Sequence, residues 1–157
     1  MAFTLNTRKV NDVVVVDMSG QLGAGEAVLL LRNTVRRFME DGNRKFVLNL
    51  GQVNYVDSSG LGELVTTYTS ARNRQGDVKL LNLSKIAKDI LQVTKLLTVF
   101  DVFDDETKAR VTARTPVRRL GNPEDIGHAV LYLSTPAGSF VSGASLVVDG
   151  GMSVGLF

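Results

Sequence analysis

Apolar and polar positions along the first two thirds of the chain predict strands and helices in alternation. Strands are predicted over 3–9 and 13–18, where the β-branched run Val13 to Val16 favours extended backbone, then over 46–56, 78–83 and 99–102. Three segments between them carry apolar residues at helical spacing. These stripes are Val28, Leu31, Val35 and Phe38; Leu61, Leu64, Val65, Tyr68 and Ala71; and Ile86, Ile90, Val93 and Leu97. The alternation predicts an α/β fold in which helices cover a mostly parallel sheet.

The last fifty residues carry a shorter pattern of one helix and one strand. Asn122 is a good N-cap, Pro123 suits the first helical position, and apolar residues recur through Leu133. A strand is predicted over 144–148. One helix and one strand cannot bury a core by themselves, so we expect this segment to dock. It either extends an open sheet edge within the chain or is exchanged between chains in a homo-oligomer.

Composition excludes several kinds of chemistry. The chain has no cysteine and only one histidine, His128, so thiol nucleophiles, disulfides, thiolate zinc sites and two-histidine relays are excluded. We predict no metal and no cofactor. Its longest apolar runs have five residues, too few to cross a membrane, and no signal peptide is apparent. A cytoplasmic location is therefore expected, with no membrane partner.

The net charge of +2 arises in one short stretch that contains no acidic residue. No aromatic residue interleaves with these charges, so the stretch favours a solvated linker over a nucleic-acid surface. We therefore predict two regions, 1–107 and 108–157, with the linker opening the second. The basic residues are Lys108, Arg110, Arg114, Arg118 and Arg119.

The segment Tyr55-Val-Asp-Ser-Ser-Gly-Leu-Gly62 lies where a predicted strand ends and a helix begins. Backbone N–H groups and the helix dipole stabilise negative charge there, so a phosphate on Ser58 or Ser59 would be accommodated while Asp57 repels it. In the simpler interpretation, Asp57 and Ser58 only cap the helix. Spacing alone favours capping.

Residues 3–107 resemble a STAS domain of the anti-sigma factor antagonist type. This resemblance implies a small mixed sheet with helices on one face. The residues that carry it are Val13-Val-Val-Val-Asp-Met-Ser-Gly-Gln-Leu22, Asn54-Tyr-Val-Asp-Ser-Ser-Gly-Leu-Gly-Glu-Leu64, Lys79-Leu-Leu-Asn-Leu83 and the run from Thr94 to Phe103.

The resemblance also implies a partner switch. Ser58 corresponds to the phosphorylated serine, with Ser59 as the fallback. The unphosphorylated protein would bind an anti-sigma factor that is also a serine kinase, phosphorylation would release it, and a serine phosphatase would reset the switch. Segment 17–25 is expected nearby, although Gly23 stands where many relatives carry an acid. The expected partner-binding residues are Asp57, Ser58, Ser59, Gly60 and Leu61.

Residues 115–152 resemble the C-terminal end of short-chain dehydrogenases/reductases. The matching blocks are Thr115-Pro-Val-Arg-Arg-Leu-Gly-Asn-Pro-Glu-Asp-Ile126 and Ser139-Phe-Val-Ser-Gly-Ala-Ser-Leu-Val-Val-Asp-Gly-Gly-Met152. The glycines of segment 20–25 have the wrong spacing for that family's cofactor turn. Its catalytic tyrosine and lysine, four residues apart, have no counterpart either. The residues four positions after Tyr55, Tyr68 and Tyr132 are Ser59, Arg72 and Pro136.

These observations predict a chain without catalytic residues that is not an enzyme. His128 is expected at the surface or half-packed on the tail helix, because no serine and carboxylate accompany it in a catalytic arrangement. The alternative to a regulatory switch is a natural or engineered chimera of two fold fragments, with no regulatory activity retained.

Overall fold

The structure, a computed structural model, describes residues 2–154 and contains a five-stranded mixed sheet with covering helices. The predicted α/β class is confirmed. No helix in the described residues is long and apolar enough to cross a membrane. The strands are β1 (Thr4–Val10), β2 (Val13–Leu22), β3 (Lys45–Val56), β4 (Asp77–Leu81) and β5 (Val102–Phe103). The helices are α1 (Glu26–Glu40), α2 (Ser58–Asn73), α3 (Lys85–Val93), α4 (Glu106–Arg114) and α5 (Pro123–Ser134).

The strands lie in the sheet in their order along the chain. β1 pairs with β2 in an antiparallel hairpin, and the pairs β2–β3, β3–β4 and β4–β5 are parallel. Each parallel pair is joined through one helix, and such crossovers are right-handed. Because all three crossovers advance in the same direction across the sheet, α1, α2 and α3 cover the same face.

The main core lies between this face of the sheet and the three crossover helices. Alternate residues of β2, such as Val14 and Val16, point into it and pack with Phe46 and Leu48 of β3. The helices contribute the buried residues Leu31, Val35 and Met39 of α1, Leu64 and Ala71 of α2, and Ala87 and Leu91 of α3. The predicted stripes of α1 and α2 supply most of the buried apolar residues of those helices. The stripe predicted for α3 is wrong in part, because α3 buries Ala87 and Leu91 whereas Ile86 and Val93 are exposed.

Helix α4 covers the opposite face of the sheet, where the sequence predicts a linker. Its Ala109 packs in a second buried cluster with Val13, Val15, Val47 and Leu81. These strand residues are fully or almost fully buried, so this part of the second face is apolar and needs a cover. Residues 108–114 therefore lie in a helix, and the expected one-sided arrangement of helices describes α1 to α3 only.

Two of the basic residues assigned to that linker form ion pairs within the first part of the chain. Arg110 pairs with Glu106 on α4 itself, and Arg114 Nε lies 2.7 Å from a carboxylate oxygen of Asp12 in the β1–β2 turn. Because these two side chains are paired with carboxylates, fewer of the basic residues are free than a solvated linker would have.

The chain divides into two compact units between Arg114 and Thr115. In the second unit, the predicted N-terminus of α5 is confirmed: Asn122 and Asp125 form a capping box, and Arg119 pairs with Asp125. Among the described residues of this unit, 144–148 form no strand, although their composition predicts one. β-propensity yields a strand only where another strand offers a hydrogen-bonding partner.

Candidate functional site

Asp57 lies at the junction between β3 and α2 and organises the first turn of the helix. Its backbone is extended, and its Oδ1 accepts a hydrogen bond of 2.8 Å from the Gly60 N–H. The Asp57 carbonyl accepts the Leu61 N–H at 2.9 Å, which begins the helical ladder. Asp57 is therefore the N-cap of α2, as the capping interpretation predicts. Ser58 follows it as the first residue of the helix.

The second carboxylate oxygen of Asp57 contacts the segment after β2. Oδ2 accepts a hydrogen bond of 2.9 Å from the Ala24 N–H, and the Asp57 N–H donates to the Leu22 carbonyl at 3.2 Å. These backbone N–H groups, Gly60 first and Ala24 next, lower the pKa of Asp57 below its ordinary value. A Cβ at position 23 would lie 2.8 Å from Oδ2, so Gly23 permits this close approach.

Both candidate phosphorylation residues, Ser58 and Ser59, are exposed in the first turn of α2. The Asp57 carboxylate is already hydrogen-bonded to the Gly60 N–H and also interacts with that of Ser59. The sequence predicts free N–H groups here, but the Asp57 carboxylate already accepts hydrogen bonds from some of them. A phosphate on either serine would face solvent, next to a fixed negative charge.

Gly60 and Leu61, two of the expected partner-binding residues, contribute to packing. Gly60 is buried, and a Cβ there would lie 2.2 Å from the Leu22 carbonyl oxygen, so only glycine fits between α2 and the end of β2. Leu61 is half-buried against the main core. Of the five expected residues, the structure exposes Ser58 and Ser59 and half-exposes Asp57.

Ser59 lines a shallow cavity of about 550 Å³. We call this cavity the switch cavity. On the α1 side Val28 and Leu29 form an apolar wall next to Arg32, and Leu29 is 52% exposed, whereas the α2 side is polar. This apolar wall is not among the sequence-predicted site residues, because Leu29 lies outside the apolar stripe of α1. An apolar residue off the buried stripe is the signal that could have found it. The cavity is lined by Ala24, Gly25, Val28, Leu29, Arg32, Ser59, Gly62, Glu63 and Thr66.

The segment expected beside the partner surface is mainly strand rather than loop. β2 continues to Leu22, and Asp17, at its middle, accepts hydrogen bonds from Arg8 and Asn49. The Arg8 guanidinium is the main cause of the lowered pKa of Asp17. His128 is exposed on α5. Residues 2–154 contain no cluster of three or more histidine or acidic residues that could hold a metal ion.

The C-terminal region is similar to oxidoreductases. Residues 92–153 match the family described as enoyl-(acyl carrier protein) reductase. An uncharacterized oxidoreductase of Mycobacterium tuberculosis is 52% identical over 50 residues, which are 32% of this chain and 19% of that protein. The 5-keto-D-gluconate 5-reductase of Escherichia coli K12 is 31% identical over 156 residues, covering 92% of this chain and 56% of that protein. The chain thus spans from a fifth to little more than half of such relatives.

These matches correct the prediction that the chain is not an enzyme. That prediction is wrong, because the C-terminal region matches families of named dehydrogenases and reductases and so points to enzyme-related sequence. It was based on a missing cofactor turn and a missing tyrosine–lysine pair. A C-terminal segment of an oxidoreductase need not contain either feature, so their absence has little weight.

The first two thirds of the chain also match a second set of proteins. A putative anti-sigma factor antagonist of Thermotoga maritima has the same fold, with a TM-score of 0.65 and 24% identity, over 70% of this chain and 94% of that one. SpoIIAA, a Bacillus cell fate determinant solved in its phosphorylated form, has a TM-score of 0.54 and 23% identity. This match covers 68% of this chain and 95% of that one. Residues 4–109 match the STAS domain family. The chain therefore belongs to the STAS domain family, with the fold of anti-sigma factor antagonists and a C-terminal region similar to oxidoreductases.

Proposed function

We propose that this chain is an anti-sigma factor antagonist that works as a phosphorylatable partner switch through Ser58. The observation that carries the proposal is the exposed Ser58 in the first turn of α2, directly after an Asp57 that is held by two backbone N–H groups. A kinase can reach this hydroxyl without unfolding any element. Two similarities support the proposal: the fold of an anti-sigma factor antagonist, and that of SpoIIAA, which has been solved in a phosphorylated form.

The switch would act through charge at a preformed surface. A phosphoserine carries a charge of roughly −1.5 to −2 at neutral pH. Asp57 is ionised and fixed beside it, so the phosphate adds to an existing negative charge with only part of the local N–H groups free to bind it. The surface around Ser58 would thus become strongly negative while the fold is unchanged. A bound anti-sigma factor would then be released by repulsion and by the cost of burying the phosphate.

The partner surface would include the switch cavity as well as the serines. Leu29, in the wall of this cavity, is 52% exposed, and its neighbour Leu30 on α1 is 40% exposed outside the cavity. An apolar patch bordered by polar groups is the usual composition of a protein-binding surface. We propose an anti-sigma factor with serine kinase activity as the partner and a serine phosphatase as the enzyme that resets the switch. Such partners place the chain in the cytoplasm.

Phosphorylation is tested directly with the cognate anti-sigma kinase and ATP, followed by mass spectrometry of the full chain. We expect one added phosphate on Ser58. Ser58→Ala should abolish it, and Ser59→Ala should leave it intact. Ser70→Ala is the matched control because Ser70 is a half-buried residue of the same helix. Modification that persists in the Ser58→Ala/Ser59→Ala double variant, or no modification at all, would refute the proposal.

Binding is tested by titration calorimetry with the same partner. Leu29→Asp should raise the Kd by about tenfold or more, because an exposed apolar contact at the proposed centre becomes charged. Val93→Asp is the control, since Val93 is 83% exposed on α3 and does not line the switch cavity. Equal losses of affinity in the two variants would contradict the proposed surface.

A second candidate is a chimera of two fold fragments in which no regulatory activity is retained. It is favoured by the division of the chain into two compact units and by matches to two different families, one over residues 4–109 and the other over residues 92–153. We propose residues 1–107 as the STAS region and 108–157 as the appended region. Anti-sigma factor binding by the full chain and by a 1–114 fragment distinguishes the candidates. Binding by neither supports the inactive chimera, and binding by both supports the partner switch.

A further inference from the structure

A second cavity of about 520 Å³ lies between α1 and α2, and we call it the interhelical groove. It shares Arg32, Glu63 and Thr66 with the switch cavity, but its other lining residues lie farther along both helices. Val35 and Met39 of α1, both at least nine-tenths buried, supply apolar surface within it. Its volume is within the range of small-molecule sites.

The charges that line the interhelical groove do not cancel. Glu63 is its one carboxylate, and this side chain is 2% exposed. It pairs with Arg32, whose Nε and Nη2 donate hydrogen bonds of 2.9 and 2.7 Å to the same carboxylate oxygen. Arg36 and Arg74 also line the groove, and neither forms an ion pair within residues 2–154. Three guanidinium groups against one carboxylate leave an excess of positive charge.

The neutral lining also favours an anion. Ser70 and Asn73 of α2 present a hydroxyl and an amide, and Arg74 directly follows this helix as its C-cap. A guanidinium with two free N–H edges binds phosphate oxygens bidentately, and hydroxyl and amide groups complete such a site. The groove thus combines apolar surface with a set of donors for a doubly charged group.

We propose that the interhelical groove binds a small organic phosphate, with the phosphate on Arg36 and Arg74 and an apolar part of the ligand against Val35 and Met39. This proposal does not depend on phosphorylation of Ser58. Arg32 has a different role: its ion pair holds Glu63 and prevents that buried carboxylate from repelling the ligand. An inorganic anion would leave the apolar surface of the groove uncovered, so the organic part should add affinity.

The test is an amide chemical-shift titration of the full chain with phenyl phosphate, inorganic phosphate and phenol as probes. We expect saturable shifts with phenyl phosphate, centred on residues 63–74 and 32–39. Inorganic phosphate should bind at least tenfold more weakly, and phenol should give no saturable shift. Shifts that stay linear in concentration, that centre elsewhere, or that are equal for phenyl phosphate and inorganic phosphate would overturn the proposal.

Charge variants identify the binding groups. Arg36→Gln/Arg74→Gln should raise the Kd for phenyl phosphate by about tenfold or more, because both charged hydrogen-bond partners are removed. Arg37→Gln is the matched control: Arg37 is the next residue on α1, stacks on Phe38 and does not line the groove. An equal loss in this control would show attraction to net charge alone and overturn the assignment. Unchanged circular dichroism and Tm establish that the variants are folded.

Discussion

The carboxylate of Asp57 accepts hydrogen bonds from Gly60, three residues later, and from Ala24, thirty-three residues earlier. The first bond caps α2, and the second ties the segment after β2 to the start of that helix. One side chain thus positions the exposed serines relative to the apolar wall that Leu29 provides on α1. If the chain is a partner switch, Asp57 serves as its scaffold.

Acid should weaken this connection in a predictable direction. The pKa of Asp57 is lowered in the folded state, so its stabilisation is complete above the unfolded value of about 3.9 and is lost as the pH falls through the folded pKa. Asp57→Asn removes the stabilisation that the ionised carboxylate provides. We expect the variant to have a lower urea midpoint than the parent chain at pH 7, with the gap narrowing below about pH 4. A gap that is constant from pH 7 to pH 3 would show that the carboxylate charge contributes nothing.

Two glycines of α2 should respond in opposite directions to the same substitution. Gly60→Ala places a methyl group against the Leu22 carbonyl, so it should destabilise the fold by more than about 1 kcal/mol. Gly62→Ala meets no atom within 4 Å and should stabilise the helix by about 0.4–1 kcal/mol. Urea unfolding measures both. Equal effects would contradict the close approach of α2 to the end of β2.

Lys79 is a buried cation on β4 whose loss should be costly. It is 1% exposed and forms ion pairs with the buried Asp77, at 2.9 Å, and with Asp101. Lys79→Ala leaves Asp77 without its cation in the interior and should cost about 3–5 kcal/mol. Lys45→Ala, which breaks the more exposed pair with Asp12, should cost about 1 kcal/mol or less.

A double variant separates the charge effect from lost packing. If the unpaired Asp77 carboxylate causes most of the loss, Lys79→Ala/Asp77→Ala should be less destabilised than the sum of the two single variants. Strict additivity in urea unfolding would instead assign the loss to the packing of the lysine side chain.

The end of the STAS region can be located by truncation. A chain ending at residue 105 lacks α4 and exposes the second apolar cluster around Val13, Val15 and Val47, so it should aggregate or unfold at a lower temperature. A chain ending at Arg114 keeps the cover and should unfold cooperatively. Ala109→Asp tests the same packing of α4 on the sheet without truncation, because Ala109 is 0% exposed and a charge there would be buried. A stable, monomeric 1–105 chain would show that α4 is dispensable.

Much of the fold could be predicted because its signals are local. The cap of α3 by Ser84 and the N-terminus of α5 at Asn122 depend on residues within one helical turn, and both are present. The buried stripe of α1 follows from periodicity in the same way. Segment 144–148 has strand composition but forms no strand, because pairing requires a second segment that composition does not specify.

The sequence by itself determined the alternation of strands and helices and the Asp57 cap, since each depends on neighbours within a few residues. Only the tertiary structure decided that α4 covers the second face and that Asp57 reaches Ala24. It also decided that Leu29 borders Ser59 and that Arg36 and Arg74 line one groove. These relationships join residues from separate elements. They arise because the sheet brings its crossover helices side by side and because both apolar faces must be buried.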